Sequence, residues 1–391
     1  MIIRFYLPID TSILAKAMKL PCDPPKGSGS LFMIPIFKRL LEDGYHISIV
    51  TVSDDCKEAF TYQDENVDIF IGVRRKKNLI RGLTFFKYEI DQMVAYAKKR
   101  KCDYSIALWS YEFALASERV HGADTVVVLH DWAPRIYDIY HDYYRFCRLL
   151  MSNHAIKKAN YFICVSPYIQ VELNKIRPEC KSMIIPNAVE IDSASFMKAS
   201  QKTLRTHQSK IVCANNSFFG LKNVDQSVRI FHKVLDKLPT AELHLYGKGN
   251  SKTDSCAQWL RENGLEKNVF LHGAVNHDVL MEAFLGADLF LHTSLEESFG
   301  LVYIEALLCG TPVFAERRAG AAKWILENGR IGRLIDSQEE EEVAIEIVSI
   351  LTDNIKWDGM KNKGLDVCKK RFSVEKVYDE WLKALDSNTW K

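Results

Sequence analysis

Apolar runs of a few residues recur along the chain. They alternate with longer stretches in which apolar positions return every three or four residues. This switching of period predicts strands interleaved with helices. In the first half, IIRFYL (2–7), HISIVTV (46–52), VDIFIGV (67–73), YSIALW (104–109), TVVVLH (125–130) and YFICVS (161–166) read as strands. In the second half, KIVCAN (210–215), ELHLYG (242–247), VFLHG (269–273), LFLHTS (289–294) and PVFAE (312–316) do the same. Helical spacing runs through LFMIPIFKRLLEDG (31–44), which stops at Gly44, and through VDQSVRIFHKVLDKL and HDVLMEAFLG. Strands with no apolar–polar alternation are buried on both faces, which predicts parallel sheets covered by helices.

Residues 190–209 are polar, rich in Ser, Thr and Lys, and weakly periodic, so they are expected to form a linker. The pattern therefore predicts an α/β protein of two consecutive Rossmann-like, doubly wound halves. Such sheets bind ligands beyond the carboxyl ends of their strands, and two facing sheets would hold a ligand cleft between them.

Composition narrows the class. A chain of 391 residues is long enough for two or three domains and needs no covalent staples. Fifty-two Lys and Arg against 50 Asp and Glu leave a net charge of +2, which argues against a nucleic-acid coat or an acidic tail. Ten cysteines are scattered without a C-x-x-C pair, so they are expected to be free, mostly buried thiols of a reducing compartment. MIIRFYLPIDTS has no secretory pattern and no 18-residue apolar run occurs, so a cytoplasmic protein is expected.

The most informative segment is LFLHTSLEESFGLVYIEALLCGTPVFA (289–315). Glu297 and Glu305 are eight residues apart, on either side of SFGLVYI, where a loop enters a helix. Ser298 is expected to cap that helix, and Phe299-Gly300 to let backbone approach a ligand. A helix N-terminus offers unpaired N–H groups and a positive dipole end, which suit a diphosphate. Glu305 would accept hydrogen bonds from a ribose diol, and Glu297 from sugar hydroxyls. On spacing alone, two incidental glutamates around a strand-loop-helix fit as well.

The ordered string Glu297, Phe299, Gly300, Leu301, Glu305, Ala306, followed by Gly310-Thr311-Pro312-Val313, resembles the E-x7-E signature of the retaining glycosyltransferases of family 4, which have the GT-B fold. The resemblance implies that Glu297 contacts the donor sugar, Glu305 the nucleotide ribose, and the backbone of Gly300 and Leu301 the diphosphate. It extends along nearly the whole chain. Gly27-Ser28-Gly29 matches the family's glycine loop after the first strand, although alone it is a flexible turn. Leu129-His130-Asp131 matches the strand-end histidine beside the transferred sugar, although alone His130 is a satisfied strand-end residue. Val165-Ser166 and Ile185-Pro186-Asn187-Ala188-Val189 match the close of the first domain. RFSVEKVYDEWLKAL (371–385) is similar to the helix that crosses back onto it. The implied domains are 1–195 with the helix 374–391, which bind the acceptor, and 208–373, which bind the nucleotide sugar.

One departure stands out. Where the family places Arg and Lys on the donor diphosphate, the chain keeps Lys222 but has Ser217 in place of the Arg. Losing a charge-assisted phosphate contact costs about 1.5–3 kcal/mol unless it is replaced. Lys248, in LYGKGN, is the candidate replacement, and a solvated loop lysine is the alternative.

Breaking a bond between an anomeric carbon and a diphosphate places negative charge on the leaving oxygens, which calls for cations and N–H donors. No D-x-D, His-x-x-His or Cys-rich ligand cluster occurs, so a metal-free site is expected, with no cofactor beyond a nucleotide-sugar co-substrate. The resemblance implies retention by front-face attack, and family frequency favours a UDP-sugar. The acceptor is expected to be a saccharide or lipid-linked molecule, as in cell-surface polysaccharide or glycolipid synthesis, and to meet the first domain near Asp131 and Trp132. Arg74-Arg75-Lys76-Lys77, with Arg81, Phe85, Phe86, Lys87 and Lys98-Lys99-Arg100-Lys101, combines basic and aromatic residues as a peripheral contact with an anionic membrane would. A solvated basic face is the alternative. Two other readings of the whole chain are a catalytically silent GT-B subunit, supported by Ser217, and a nucleotide-sugar epimerase on a similar scaffold, disfavoured by the E-x7-E context.

Overall fold

The computed structural model describes residues 1–204 and 208–386. The chain divides into two compact units: one takes residues up to Ala188 and resumes at Val374, the other spans Val189–Ser373.

In the first unit the strands are β1 (Ile2–Tyr6), β2 (His46–Ser53), β3 (Phe60–Gln63), β4 (Val67–Val73), β5 (Tyr104–Leu108), β6 (Val126–Leu129), β7 (Tyr161–Cys164) and β8 (Lys181–Ile184). They form one sheet in the order β3-β4-β2-β1-β5-β6-β7-β8, parallel except for β3. The second unit has β9 (Lys210–Ala214), β10 (Glu242–Tyr246), β11 (Val269–Gly273), β12 (Leu289–His292), β13 (Val313–Glu316) and β14 (Arg333–Ile335). These order as β11-β10-β9-β12-β13-β14, all parallel. The strand order reverses at β1/β5 in one sheet and at β9/β12 in the other. Helices diverge to opposite faces at such points, so a crevice opens beyond the strand ends there. The fold is thus the expected pair of doubly wound sheets.

Central strands such as β2 and β4 are buried almost throughout, their polar Ser48, Thr51 and Asp68 included, as strands covered on both faces are. The three strands that hydrophobicity does not announce, β3, β8 and β14, all lie at sheet edges. An edge strand has one neighbour and incomplete cover, so FTYQ alternates half-buried with exposed positions and KSMI is nowhere fully buried.

Residues 193–201 are not linker. They form a helix, Ser193–Gln201, whose N-terminus is capped by Asp192 through the Ala194 and Ser195 N–H groups at 3.0 and 2.9 Å. Its weak periodicity reflects a helix that buries only Ala199. Near the end of the described chain, the helix Asn354–Phe372 stops at Ser373, and Val374–Asp386 forms a separate helix of the first unit. That last helix is fixed there by Trp381 against Phe5, by the Tyr378 hydroxyl donating to Asp43 at 2.6 Å, and by the Tyr104 hydroxyl donating to the Leu385 carbonyl at 2.6 Å. All ten cysteines are free, and seven are buried.

Candidate functional site

The second unit places its chemistry at the switch point. After β9 the chain turns through Gly220–Lys222 and enters the helix Val224–Leu235, and after β12 it runs through Thr293–Gly300 into the helix Leu301–Leu308. These two loops are sewn together. The Leu295 N–H donates to the Leu221 carbonyl at 2.8 Å, the Thr293 hydroxyl to the Asn223 carbonyl at 2.6 Å, and the Asn223 amide to the Thr293 carbonyl at 3.2 Å. The Ala321 N–H holds the Glu297 carbonyl at 2.8 Å. The stitching brings the Lys222 ammonium onto the Glu297 carboxylate, which also meets His292 Nε2 at 3.0 Å. Burial alone would raise the Glu297 pKa. The Lys222 charge and the His292 hydrogen bond outweigh it and hold the carboxyl well below the usual carboxylate range, so Glu297 is an anion at neutral pH. His292, the last residue of β12, is fully buried, and burial lowers its pKa. The motif gave no sign of His292, although a His ending the strand five residues before Glu297 was there to be read.

Gly300, not Ser298, caps the following helix. Its backbone is left-handed (φ +85°), and as a glycine it offers the first turn no side-chain acceptor. A Cβ there would lie 2.5 Å from the Tyr303 ring. The helix therefore starts from a position that only glycine fills without strain. Phe299 is buried, its ring against Trp324 and Phe372, so it meets any ligand at this loop only through its backbone. Glu305 is the fifth residue of the helix and accepts a hydrogen bond from His277 Nε2 at 2.9 Å. That bond raises the His277 pKa. His277, like His292, was missed because it lies on another element, at the start of the helix His277–Leu285.

Ser217 is spent on a local turn, its hydroxyl donating to the Phe219 carbonyl at 3.0 Å. Lys248 is exposed on the loop after β10, and its N–H donates to the Asn216 side chain at 3.3 Å. The flanking glycines press that loop onto residues 215–218. A Cβ on Gly247 would meet the Asn215 carbonyl at 2.1 Å, and one on Gly249 would sit 3.5 Å from the Ser217 Cα. The backbone of Lys248 thus runs beside the position at which the family carries Arg.

In the first unit, the glycine loop packs on the chain leaving β1. The Asp10 N–H donates to the Gly29 carbonyl at 3.1 Å, and a Cβ on Gly27 would collide with the Ile9 carbonyl at 1.9 Å. Beyond β1 and β5 lies a pocket of about 260 Å³ whose walls include Ser28, Gly29, Arg74, Trp109, Glu112 and Arg148. Trp109 leaves β5 with a left-handed backbone (φ +65°), a strained conformation for a bulky residue. His130 follows β6, its ring against Trp109 and Phe32 at 4.5 and 5.1 Å. Its Nε2 is buried without a hydrogen-bond partner, and burial lowers its pKa to about 3, so the imidazole is neutral. Asp131 accepts from the Tyr111 hydroxyl at 2.9 Å, and burial raises its pKa. Trp132 is buried. Among the described residues, no group of three His, Cys, Asp or Glu side chains is placed to hold a metal ion.

Comparison with known proteins agrees with this architecture. Residues 35–193 match the model of Glycosyltransferase Family 4, and residues 195–366 that of Glycosyl transferases group 1. The chain is 26% identical over 231 residues to a poly(ribitol-phosphate) alpha-N-acetylglucosaminyltransferase of Staphylococcus aureus, a match that covers 56% of this chain and 46% of the relative. It is 26% identical over 196 residues to the N-acetyl-alpha-D-glucosaminyl L-malate synthase of Bacillus anthracis, covering 49% and 50%. The matched region thus spans about half the length of these relatives. Among solved structures, sucrose-phosphate synthase from Thermosynechococcus elongatus superposes with a TM-score of 0.74 at 16% identity, covering 98% of each chain. Anabaena HepE in complex with UDP and glucose gives 0.65 at 19%, covering 99% of each. With two parallel sheets of this topology and both domain models matched in order, the chain belongs to the family 4 glycosyltransferases of the GT-B fold.

Proposed function

We propose that the chain transfers a sugar from a nucleotide sugar, a UDP-sugar by preference, to a saccharide or lipid-linked acceptor, with retention of anomeric configuration and without a metal ion. The observation that carries this is the ionised Glu297 held between Lys222 and His292 beside the helix end that begins at Gly300. The Lys222 ammonium has three N–H donors and gives one to Glu297, leaving two for donor phosphate oxygens. The N–H groups at Leu301 complete the anion site, and Lys248 supplies the charge that Ser217 does not. Glu305 takes the ribose diol, and Glu297 orients the sugar. In the reaction, the bond between the anomeric carbon and the diphosphate breaks and a bond to the acceptor oxygen forms on the same face. The acceptor's hydroxyl proton passes to the departing diphosphate oxygen. The residues of the first unit in this reading are His130, as a neutral imidazole beside the sugar, the Gly27–Gly29 loop, and Asp131 as part of the acceptor wall. UDP-sugar complexes among the structural relatives and polyol-phosphate or lipid acceptors among the curated ones support the choice of substrates.

A panel of UDP-, GDP- and ADP-sugars screened by thermal shift tests the donor, since a ligand at 100 times its Kd adds about 2.7 kcal/mol. Hydrolysis of the best donor is then compared in wild type and Glu305→Ala. Full-rate hydrolysis by the variant rules out the ribose role. Binding of a donor with no turnover under any acceptor favours the silent-subunit reading, for which Ser217 speaks.

We also infer a peripheral contact with an anionic bilayer. Among the described residues no helix is long and apolar enough to cross a membrane. Yet Leu79, Leu83 and Phe85 are 63%, 57% and 43% exposed, and Phe146 and Leu150 are exposed on the neighbouring helix Tyr143–Lys158, with Lys76 and Lys77 adjacent. Such side chains insert while the lysines meet lipid phosphates. Flotation with phosphatidylglycerol vesicles at low salt should carry the wild type and lose Leu79→Glu/Leu83→Glu. Equal flotation of the two would remove the contact.

A further inference from the structure

The pocket beyond β1 and β5 holds more positive than negative charge. Arg148 lies across the Tyr111 ring at 3.5 Å and donates to the Tyr144 hydroxyl at 3.2 Å. The acid facing it, Glu112, is 3.8 Å away, beyond hydrogen-bond reach, and Glu112 Oε2 is buried with no hydrogen-bond partner. Arg74, half-buried at the end of β4, uses its N–H on the Ser53 carbonyl at 2.8 Å, and its side chain has no acidic partner among the described residues. Arg81 is nearby and only 5% exposed. It meets the Asn78 side chain and the Phe86 ring, while its Nε and Nη1 are buried with no partner. Burial and the like charge of Arg74 both weaken the hold of Arg81 on its proton. A further acid in this neighbourhood, Glu89, is spent on Arg75, which grips it at 3.0 and 2.8 Å. Three guanidinium groups therefore face two carboxylates: Glu112, which stands off from Arg148, and Asp131, which accepts from the Tyr111 hydroxyl and acts on Arg148 through its charge alone.

We propose that this pocket receives a phosphate group carried by the acceptor. The proposal rests on the glycosyltransferase reading for the word acceptor, and on the arginines for the phosphate. Guanidinium forks match phosphate oxygens in pairs, and an anion would offset the surplus positive charge of the pocket. Trp109 gives the same pocket an aromatic wall of the kind that packs against a sugar or polyol. The glycine loop allows backbone to come close, since Gly29 (φ +99°) is held against Pro8 and lines the pocket. A phosphate set there would leave the hydroxyl-bearing part of the acceptor to extend along Trp109 toward His130.

Titration calorimetry on the full chain tests this with four probes: inorganic phosphate, glycerol 3-phosphate, monomeric dihexanoyl phosphatidic acid, and glycerol as the neutral control. At least one of the two esters is expected to bind and glycerol is not. Arg74→Ala is expected to weaken that ester at least tenfold, with Arg74→Lys between the two. Arg74 has no structural partner to lose, so both variants should fold, and UDP, which binds the other unit, should bind them as it binds wild type. Arg148→Lys, which keeps the charge but not the fork, should also weaken the ester. Binding of glycerol 3-phosphate without the lipid identifies a polyol-phosphate acceptor, and the reverse identifies a lipid phosphate. No ester binding to wild type, binding of inorganic phosphate alone, or equal ester binding to Arg74→Ala each overturns the proposal. Ester binding that depends on Arg74, in a protein that binds no nucleotide sugar, leaves this site standing and removes the functional reading instead.

Discussion

The two switch points treat charge in opposite ways. At β9/β12, each signature glutamate already meets a cationic or protonatable partner: Glu297 meets Lys222 and His292, and Glu305 meets His277. The surrounding loops are locked to each other by backbone hydrogen bonds. At β1/β5, the polar groups are left incomplete. Among the described residues, Arg74 has no counter-charge, Arg81 has buried N–H groups without acceptors, Glu112 stands off from Arg148, and His130 Nε2 has no partner. Unmet buried groups are costly, and charged ones more so, so a fold keeps them where a ligand completes them. The second unit thus pairs its signature carboxylates and leaves neutral groups unmet, the Asn215 side chain, His292 Nδ1 and the Tyr303 hydroxyl among them, whereas the first leaves charged groups unmet as well. A preorganised site favours one chemical step, and an incomplete one favours selection among partners.

The largest break in this contrast should come from Lys222→Met. It removes the cation that offsets the burial of Glu297 and, in the proposed reaction, the main phosphate cation. Donor hydrolysis should fall about 10²–10³-fold, the loss expected for a single well-placed charge partner. The Glu297 pKa should rise toward or above the ordinary carboxylate value, because burial is then opposed only by His292. Wild type holds this carboxyl ionised far into acid, so its contribution to stability is present above the unfolded pKa and is lost only as pH falls through the much lower folded value. The variant should lose stability at mildly acidic pH, where wild type does not. Acid unfolding curves that superpose would show that Lys222 does not set the charge of Glu297.

Gly300→Ala asks whether the helix end is as rigid as the loops that hold it. The added Cβ meets the Tyr303 ring at 2.5 Å in a left-handed backbone that alanine resists. A destabilisation of about 1–3 kcal/mol is expected by urea melts. Nucleotide affinity should fall as well. A neutral effect on both would mean the loop moves freely, against the stitching described above. This glycine also marks how far the sequence could be read. Its place in the motif was legible, because a loop entering a helix beside two glutamates is a local pattern. That Gly300 rather than Ser298 caps the helix was not, since capping depends on backbone angles that composition does not encode. His277 and the arginine pocket were illegible for a related reason, whereas His292, five residues before Glu297, was within reach of the sequence. His277 lies 28 residues from Glu305, and Arg74 and Arg81, though grouped in one basic stretch, meet Glu112 and Arg148 from distant segments, so no spacing rule joins them. The central strands and the switch topology were legible from apolar runs, whereas the edge strands β3, β8 and β14 and the helix Ser193–Gln201 bury too little surface to leave a signal.

Ser217 and Lys248 sharpen the same contrast, because they test whether the second unit's charge is complete. If the lysine on the neighbouring loop stands in for the missing arginine, Lys248→Ala should weaken UDP-sugar binding by about ten- to a hundredfold, the 1.5–3 kcal/mol expected of one charge-assisted hydrogen bond. Ser217→Arg should restore most of that loss and add less to wild type than to Lys248→Ala. A double-mutant cycle reads this directly, since the two residues lie on loops in contact and their effects should not add. Additive effects would mean that Lys248 is a solvated loop residue.

The smallest expected effect belongs to His277 and Glu305. Their hydrogen bond raises the folded-state pKa of His277 above its unfolded value. The contribution is therefore fully present below the unfolded pKa, near 6.5, and is lost as pH rises through the folded value. His277 is about half exposed, so solvent screens the pair and the change in stability should be slight. The effect on binding should be clearer. Below the transition a protonated His277 holds Glu305, and above it the carboxylate is freed for the ribose diol. UDP affinity should accordingly rise a few-fold between pH 6 and pH 9 in wild type, and this rise should flatten in His277→Gln, which keeps a hydrogen-bond donor without the titration. The same pH dependence in both proteins would assign it to another group and leave His277 as a surface contact that only happens to sit on the signature glutamate.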